Sequence, residues 1–486
     1  MAKSFEGRIE QVDGNRWRIP RDSQAGMRVD GMIYSSGRLI GDVIDGGGPA
    51  QVANVATLPG IVGASLAMPD VHWGYGFCIG GVAATDVEAD GVVSPGGVGY
   101  DINCGVRLMR TDLDAADLRK RTKALIDQLF RDVPVGVGVG GPHRFAGDEM
   151  RRLLAEGVGY LVEKGLAREA DREVTESGGC LPGADPGAVS DEALRRGAGQ
   201  CGSLGAGNHF IEVQRVEKVY DPVAAEVFGL AEGQVTVMIH TGSRGLGHQV
   251  CGDSLKALRS APGRYGIELP DRQLVCAPVA SPEGQRYLSA MRAAANFAWC
   301  NRQLLMNQVR KTLARFFGQS QSSLGLRQVY DVAHNVAKIE THVVGGTPRE
   351  LCVHRKGATR AFAPGHRDLP ERYRPTGQPV LIPGDMGTAS YVLVGTEAAM
   401  RQTFGSACHG AGRVLSRKAA IRTAHGRRID KELAARGIVA RARGRTGLAE
   451  EQPDAYKDVD AVVECVHSAG LARKVARMRP LGVIKG

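Results

Sequence analysis

Aromatic residues make up 5% of the 486-residue chain, with only 3 tryptophans. That scarcity argues against a surface that reads nucleic acid through long rows of stacked bases. No apolar run approaches the ~20 residues a helix needs to cross a bilayer, and Met1-Ala2-Lys3-Ser4-Phe5-Glu6 lacks the apolar core of a secretory leader. The 10 cysteines contain no Cys-x-x-Cys pair and no zinc-ribbon spacing. A disulfide framework is thereby disfavoured, and buried, reduced thiols in a cytoplasmic setting are expected. The Gly-x-x-x-x-Gly-Lys-Ser/Thr phosphate loop is also missing, so any nucleotide must be held by metal, scattered backbone amides and side chains. No internal repeat is evident, which excludes a solenoid.

Glycine is plentiful. The 66 glycines and 22 prolines stay below the level of low-complexity disorder, and glycine clusters at 45–49, 91–105 and 135–142, as suits a site built from turns. With 43% hydrophobic residues the chain can bury a substantial core, in one large domain or two. A net charge of +10 and a pI near 9.1 favour a polyanionic partner, although an arginine-rich genome composition produces the same figure. Basic residues gather at 355–360, 366–367, 413–422 and 427–428. These predict a phosphate-tracking surface with weak sequence preference and salt-sensitive affinity. For 417–428 the competing reading is a solvated helix face.

Residues 1 to about 60 read as short strands and turns, with Trp17-Arg18-Ile19-Pro20 and Met32-Ile33-Tyr34 as apolar pieces. Helical periodicity is expected over 113–130, 149–164, 397–404, 430–436 and 459–469. The longest helix begins at Ser281-Pro282, a cap followed by proline in the first turn, with apolar positions running from Leu288 through Met291, Ala295, Ala298, Leu305 and Val309 to Phe316. Its Trp299 and Met306 read as core. The mixture of strands and helices predicts an α/β or α+β fold.

His409, in Ser406-Ala407-Cys408-His409-Gly410-Ala411-Gly412-Arg413, is framed by small residues and followed by arginine. Imidazole can attack phosphorus at neutral pH, the glycines let backbone approach a phosphate, and Arg413 could hold its charge. A turn or capping histidine is the competing reading. Gly99-Tyr100-Asp101-Ile102-Asn103-Cys104-Gly105 sets a carboxylate and a thiol three residues apart in a glycine-flanked turn. Asn208-His209-Phe210 follows a glycine-rich run, His240 ends the apolar run 235–239, and His334 follows the apolar run 328–333. One Asp, one Cys and three His form a mixed O/S/N set suited to divalent transition metals, with a shared thiolate a natural arrangement. For each histidine taken singly, a local backbone hydrogen bond remains open.

Met68-Pro69-Asp70-Val71-His72-Trp73-Gly74, the segments around Asp101, His209, His240 and His334, Cys408 to Arg413 and the ending Ile484-Lys485-Gly486 together resemble the RtcB family of RNA ligases, in order and without an inserted intein, from about residue 60 onward. The resemblance implies one ligase domain over 1–486, with a strand-rich portion at 1–60 and all motifs in 61–486. It implies an enzyme, dependent on GTP and Mn2+, that joins an RNA 3′-phosphate or 2′,3′-cyclic phosphate to a 5′-hydroxyl in tRNA splicing or RNA repair. The histidine matching His409 would attack the α-phosphate of GTP. Asp101, Cys104 and His209 match one manganese site; Cys104, His240 and His334 match a second, with Cys104 bridging. Asp70 matches a carboxylate that orients the His409 ring, although it could simply cap a turn. Asn208, Glu212, Asp385, Ser390, Ala411, Gly412, Tyr456 and Lys485 match nucleotide contacts, Tyr456 by stacking on the base. Lys485, taken without the resemblance, reads as a frayed terminal lysine. His72, Arg244, Lys356 and Arg413 are assigned to RNA phosphates. Some family members use an archease-like activating partner; no membrane association is implied.

One position departs from the family pattern. Where Pro-Gly-Ser-Met-Gly is usual, this chain reads Pro383-Gly384-Asp385-Met386-Gly387, placing a carboxylate where a hydroxyl is expected beside nucleotide. Such a charge repels phosphate unless metal or arginine intervenes. Two other functions fit the residues: a metal-dependent phosphodiesterase or hydrolase with His409 as general acid, and a non-catalytic subunit of an RNA-repair assembly.

Overall fold

In the computed structural model, which describes residues 5–486, two β-sheets have edge strands that a single residue separates. Met1–Ser4, part of the stretch in which no leader is read, lie outside the described residues. The first sheet orders its strands Glu10–Gln11, Arg16–Ile19, Asp30–Tyr34, Ile61–His72, Ile79–Asp86, Thr347–Lys356 and Asn335–Val344. The second orders Arg327–Ala333, Gly105–Asp114, Gln234–Thr241, Phe210–Val219, Ala472–Lys485, Ser390–Gly395 and Pro379–Ile382, and Val439–Ala442 adds in parallel to Ala472–Lys485. Strand Arg327–Ala333 is an edge of the second sheet and Asn335–Val344 an edge of the first, and the single residue His334 separates these two strands.

The fold is a mixture of α and β. Pairing is antiparallel except for Asp30–Tyr34 beside Ile61–His72 and Val439–Ala442 beside Ala472–Lys485. Antiparallel order has a direct consequence for the site: where one strand ends, its neighbour begins. In the second sheet Ala333 faces Gly105, Gly105 faces Thr241, His240 faces Phe210 and Phe210 faces Lys485. Residues far apart in the chain therefore line up along one margin. In the first sheet His72 faces Ile79 and Lys356 faces Asn335, which brings a second margin to the same place.

Behind the second sheet runs helix Pro282–Phe317. Ser281 caps it, its hydroxyl accepting from the Gly284 N–H at 3.1 Å, and Gly318 closes it at φ 66°. Every residue from 293 to 306 is buried, which no one-sided amphipathic helix achieves; the helix crosses the interior and joins two hydrophobic cores, through Trp299 on one side and Leu305, Met306 and Val309 on the other. Burying side chains of this size stabilises by about 1.5–3 kcal/mol each. Its buried polar residues tie down loops. Asn301 accepts from the Gly202 and Ser203 N–H groups and donates to the Gly242 carbonyl, and Asn296 accepts from the Leu181 N–H.

Three expectations change. Residues 113–130 are not one helix: strand Gly105–Asp114 continues into them, and Asp114 then caps Ala115–Leu118 by accepting the Ala116 N–H at 2.7 Å, ahead of a second helix Thr122–Asp132. The segment 149–164 breaks into Gly147–Glu156 and Val158–Glu163 at Gly157, whose φ of 57° and ψ of −136° suit glycine almost alone. Within 1–60, strands Arg16–Ile19 and Asp30–Tyr34 form at the expected apolar pieces, but helices Ile40–Asp45 and Gly48–Val55 stand where only strands and turns are expected. The second of these helices carries Pro49 in its first turn and packs Val52 and Ala53 under the first sheet. The helices expected in 397–404, 430–436 and 459–469 form as Glu397–Thr403, Ile429–Ala435 and Val459–Ser468. All ten cysteines are free thiols, nine of them buried. Among the described residues no helix is long and apolar enough to cross a membrane.

Candidate active site

Cys104 and His209 each sit one position before a strand, His334 one position after one, and His240 next to the end of its own. Register alone makes them neighbours. Cys104 Sγ lies 3.3 Å from His240 Nε2 and 3.6 Å from His209 Nε2, which is itself 2.8 Å from Asp101 Oδ2. Ligand atoms of Asp101, Cys104 and His209 all fall within 4.8 Å of one another. The His240 and His334 rings are 5.5 Å apart, and the His334 and His409 rings 5.3 Å.

The chemistry of this cluster fits divalent metal. His334 Nδ1 is engaged with Thr359 Oγ1 at 2.9 Å, while its buried Nε2 has no partner; the buried Nδ1 of His240 has none either. Buried polar nitrogens without partners are costly unless something fills the gap. Burial, aided by neighbouring cationic groups, holds both rings well below the ordinary histidine range, in the neutral form that binds metal. Burial and the adjacent Asp101 push the Cys104 thiol well above its usual value, so cationic charge is needed to ionise it.

Arg302, fully buried in the long helix, fixes this geometry from behind. Its guanidinium donates to the carbonyls of Asn103 and Thr241, both at 2.8 Å, to Asn103 Oδ1 and to Asp331. Asn103 precedes Cys104 and sits at φ 51°, and Thr241 follows His240, so one side chain holds two ligand loops. Asp331 is shared with buried Arg107 at 2.6 Å.

Strand Ser406–Cys408 pairs with Ala358–Arg360 and delivers His409 to the same cavity. Asp70 Oδ2, fully buried, receives the His409 N–H at 2.9 Å and the Gly410 N–H at 3.2 Å and lies 2.6 Å from His409 Nδ1. Burial opposes ionisation of Asp70, yet the His409 ring, these N–H groups and Lys457 hold its carboxyl below the usual range. Lys457 donates to the carbonyls of Pro69 and Val71, on either side of Asp70. Gly412 passes so close that a Cβ there would lie 2.2 Å from the Asp70 carbonyl oxygen. With Nδ1 engaged by Asp70, Nε2 is the nitrogen left for chemistry.

The cavity enclosing these groups has a volume of ≈370 Å³. Asp101, Cys104, His240, His334 and His409 line it, as do Asn208, Glu212, Asp385, Ala411, Gly412, Tyr456 and Lys485. His72, Lys356 and Arg413, expected at RNA phosphates, line it as well. Of the expected residues, Asp70, His209, Ser390 and Arg244 are not among the lining residues; Asp70 and His209 stand behind His409 and Asp101, which they contact. Ser390 Oγ accepts the Gly384 N–H at 3.3 Å, and Arg244 donates to Ser203 Oγ and the Gly136 carbonyl. Arg417, in the segment that also reads as a solvated helix face, lines the cavity too; Arg427 and Arg428, farther along, are paired with acids.

Lys485 is not frayed. It ends a paired strand, is 3% exposed and sits 5.5 Å from the Phe210 ring centroid. Asp385 caps its own turn, accepting the Gly387 N–H at 2.7 Å and the Thr388 hydroxyl at 2.6 Å, and burial raises its carboxyl above the usual range. Burial pushes Glu212 up to about 8, and Lys356 down to about 8. Sequence reasoning passes over Glu451. This buried acid receives Arg413 at 3.0 Å and the Tyr456 hydroxyl, and lies 3.9 Å from Lys485 Nζ. Arg302 and Thr359 are likewise passed over; nothing in their local sequence marks them.

The family described as "tRNA-splicing ligase RtcB" matches residues 51–486. The chain belongs to the RtcB family. It is 54% identical over 483 residues to the tRNA-splicing ligase RtcB of Archaeoglobus fulgidus, covering 99% of this chain and 100% of that one. To the RNA-splicing ligase RtcB of Mycobacterium tuberculosis it is 58% identical over 438 residues, 90% of this chain and 100% of the relative. The tRNA-splicing ligase RtcB of Thermococcus kodakarensis is 54% identical over 478 residues, 98% of this chain and 99% of that one. Family membership thus agrees with the resemblance carried by the motifs.

Proposed function

We propose that this chain is a GTP-dependent RNA ligase that joins a 3′-phosphate or 2′,3′-cyclic phosphate end to a 5′-hydroxyl end through a guanylylated His409, in tRNA splicing or RNA repair. The observation that carries the reading is the Asp70–His409 pair opening into a cavity lined with metal-type ligands. Asp101, Cys104 and His209 would hold one Mn2+, and Cys104, His240 and His334 another. When bound, divalent ions there supply the positive charge that offsets a triphosphate and its leaving pyrophosphate.

His409 Nε2 attacks the α-phosphorus of GTP, forming a P–N bond as the bond to pyrophosphate breaks. Asp70 holds the ring at Nδ1 and stabilises the positive charge that develops on it. A cyclic phosphate end is first opened by water. An oxygen of the RNA 3′-phosphate then takes the guanylyl group from His409, and the 5′-hydroxyl attacks that activated 3′-phosphorus, expelling GMP and leaving a phosphodiester. Lys356 and Arg413 offer charge for RNA phosphate; Tyr456, Glu212 and Lys485 would surround the guanine. An archease-like protein is a candidate activator.

Incubation with α-labelled GTP and Mn2+ tests the first step. Acid-labile label should be retained by the wild type and absent from His409→Ala, with joining of 3′-phosphate and 5′-hydroxyl oligonucleotides lost in parallel. Ligation that persists in His409→Ala would sink the assignment, and turnover without trapped label would favour a hydrolase.

A further inference from the structure

In a chain poor in aromatics, three partly exposed rings gather on one side of the cavity. Tyr75 meets Tyr100 edge-on, centroids 5.8 Å apart at 70°, and Tyr100 lies 4.9 Å from the His248 ring, tilted by 30°. Tyr100 is 36% exposed, His248 is exposed and Tyr75 half-buried. They come from three segments: the turn after Ile61–His72, the turn before Gly105–Asp114, and helix Arg244–Ala257. Tyr75 and Tyr100 line the cavity, and Tyr100 is bonded directly to Asp101.

The group is held in place beforehand. Lys356 donates to the carbonyls of Tyr75 and Phe77, and its side chain lies against Gly99, so one residue links the turn carrying Tyr75 to the turn carrying Tyr100. A fixed ring loses little freedom when a planar ligand covers it. Tyr456, the ring assigned to guanine, differs: the Arg413 guanidinium already sits 5.0 Å from its centroid.

We propose that Tyr75, Tyr100 and His248 form a stacking platform for the unpaired terminal base of an RNA strand entering beside Asp101, a reading that rests on the RNA-ligase function. An enzyme that joins free ends must fix a terminal nucleotide whose base has lost a neighbour on one side. An aromatic face does so for any base, since every base has a π-face. One platform, rather than a row, agrees with the low aromatic content and with weak sequence preference.

The test uses Mn2+-loaded protein without GTP, so that binding is measured and no joining occurs. The probes are single-stranded RNAs carrying 2-aminopurine, or an abasic site, at the 5′-hydroxyl or the 3′-phosphate terminus. At one of the two termini, 2-aminopurine fluorescence should be quenched by wild type and by Tyr100→Phe but not by Tyr100→Ala, with affinity falling roughly ten-fold in Tyr100→Ala. An abasic end should bind wild type as weakly as a base-bearing end binds Tyr100→Ala. The platform is overturned if wild type binds abasic and base-bearing ends equally at both termini, a comparison that needs no variant, or if Tyr100→Ala quenches as wild type does. Joining is assayed separately with GTP: quenching without joining sinks the ligase reading and keeps the platform, and joining without quenching does the reverse.

Discussion

The two sides of the cavity are built on opposite principles. On the side of Asp101, Cys104 and the histidine cluster, His334 Nε2 and His240 Nδ1 are buried without partners, and the order there comes from behind, through Arg302, Asn301 and Thr359. On the Tyr456 side most polar groups already engage one another: Glu451 Oε2 binds Arg413 and Tyr456 and stands near Lys485, and only its buried Oε1 lacks a hydrogen bond. The first side is arranged for a ligand to complete; the second must exchange internal contacts for a ligand. Rigidity therefore comes from different sources. Strand register and a buried helix fix the one, and an ion-pair cluster at the end of the last strand fixes the other.

The sharpest way to break this comparison is Cys104→Ala. If the thiolate serves both ions, the variant should lose Mn2+ at both positions, and guanylylation should fall to background; metal analysis showing full stoichiometry would contradict a shared ligand. Arg302→Lys comes next. It keeps the charge but loses the fork that spans Asn103 and Thr241, and Mn2+ affinity should drop roughly ten-fold, as supporting residues around metal ligands commonly cost. Titration calorimetry, together with the thiolate-to-metal absorption of a Co2+ form, checks it; a variant with wild-type affinity and spectrum would remove Arg302 from any positioning role.

A smaller effect is expected on the Tyr456 side. Glu212 is buried and raised to about 8, so the folded state binds its proton more tightly than the unfolded chain does. Its stabilising contribution is complete below the ordinary carboxylate range and is lost as pH climbs toward about 8. Glu212→Gln should flatten the decline in melting temperature between about pH 5 and 9; identical slopes for the two proteins would count against a proton on Glu212. The smallest change belongs to Asp385→Ser. A serine can still cap the turn to Gly387 while removing charge from the cavity, so guanylylation should quicken by a few-fold, about 1 kcal/mol. Unchanged or slower labelling under matched Mn2+ would show that the carboxylate does not oppose the nucleotide.

Legibility in the sequence followed the range of the interactions. His240 at a strand end and the capped start of the long helix depend on neighbours within a few residues, and both stand where expected. The break at Gly157 and the helix Gly48–Val55 escape the sequence because glycine-rich segments carry little periodicity to read. Glu451 was invisible for another reason: Ala449-Glu450-Glu451-Gln452 looks like any solvated polar stretch, and only burial against Arg413 and Tyr456 gives the acid a role.

The sequence by itself determined the inventory: a mixed α and β chain, the ligand types, a histidine set among glycines, and membership of a family through motifs spread over most of its length. The tertiary structure decided which of these groups meet. Antiparallel register turned separate strand ends into one margin, His334 joined two sheets, and a buried guanidinium closed the frame. Chemistry at a single residue type is local and can be read from the chain, whereas a distance between residues more than a hundred positions apart is set by packing.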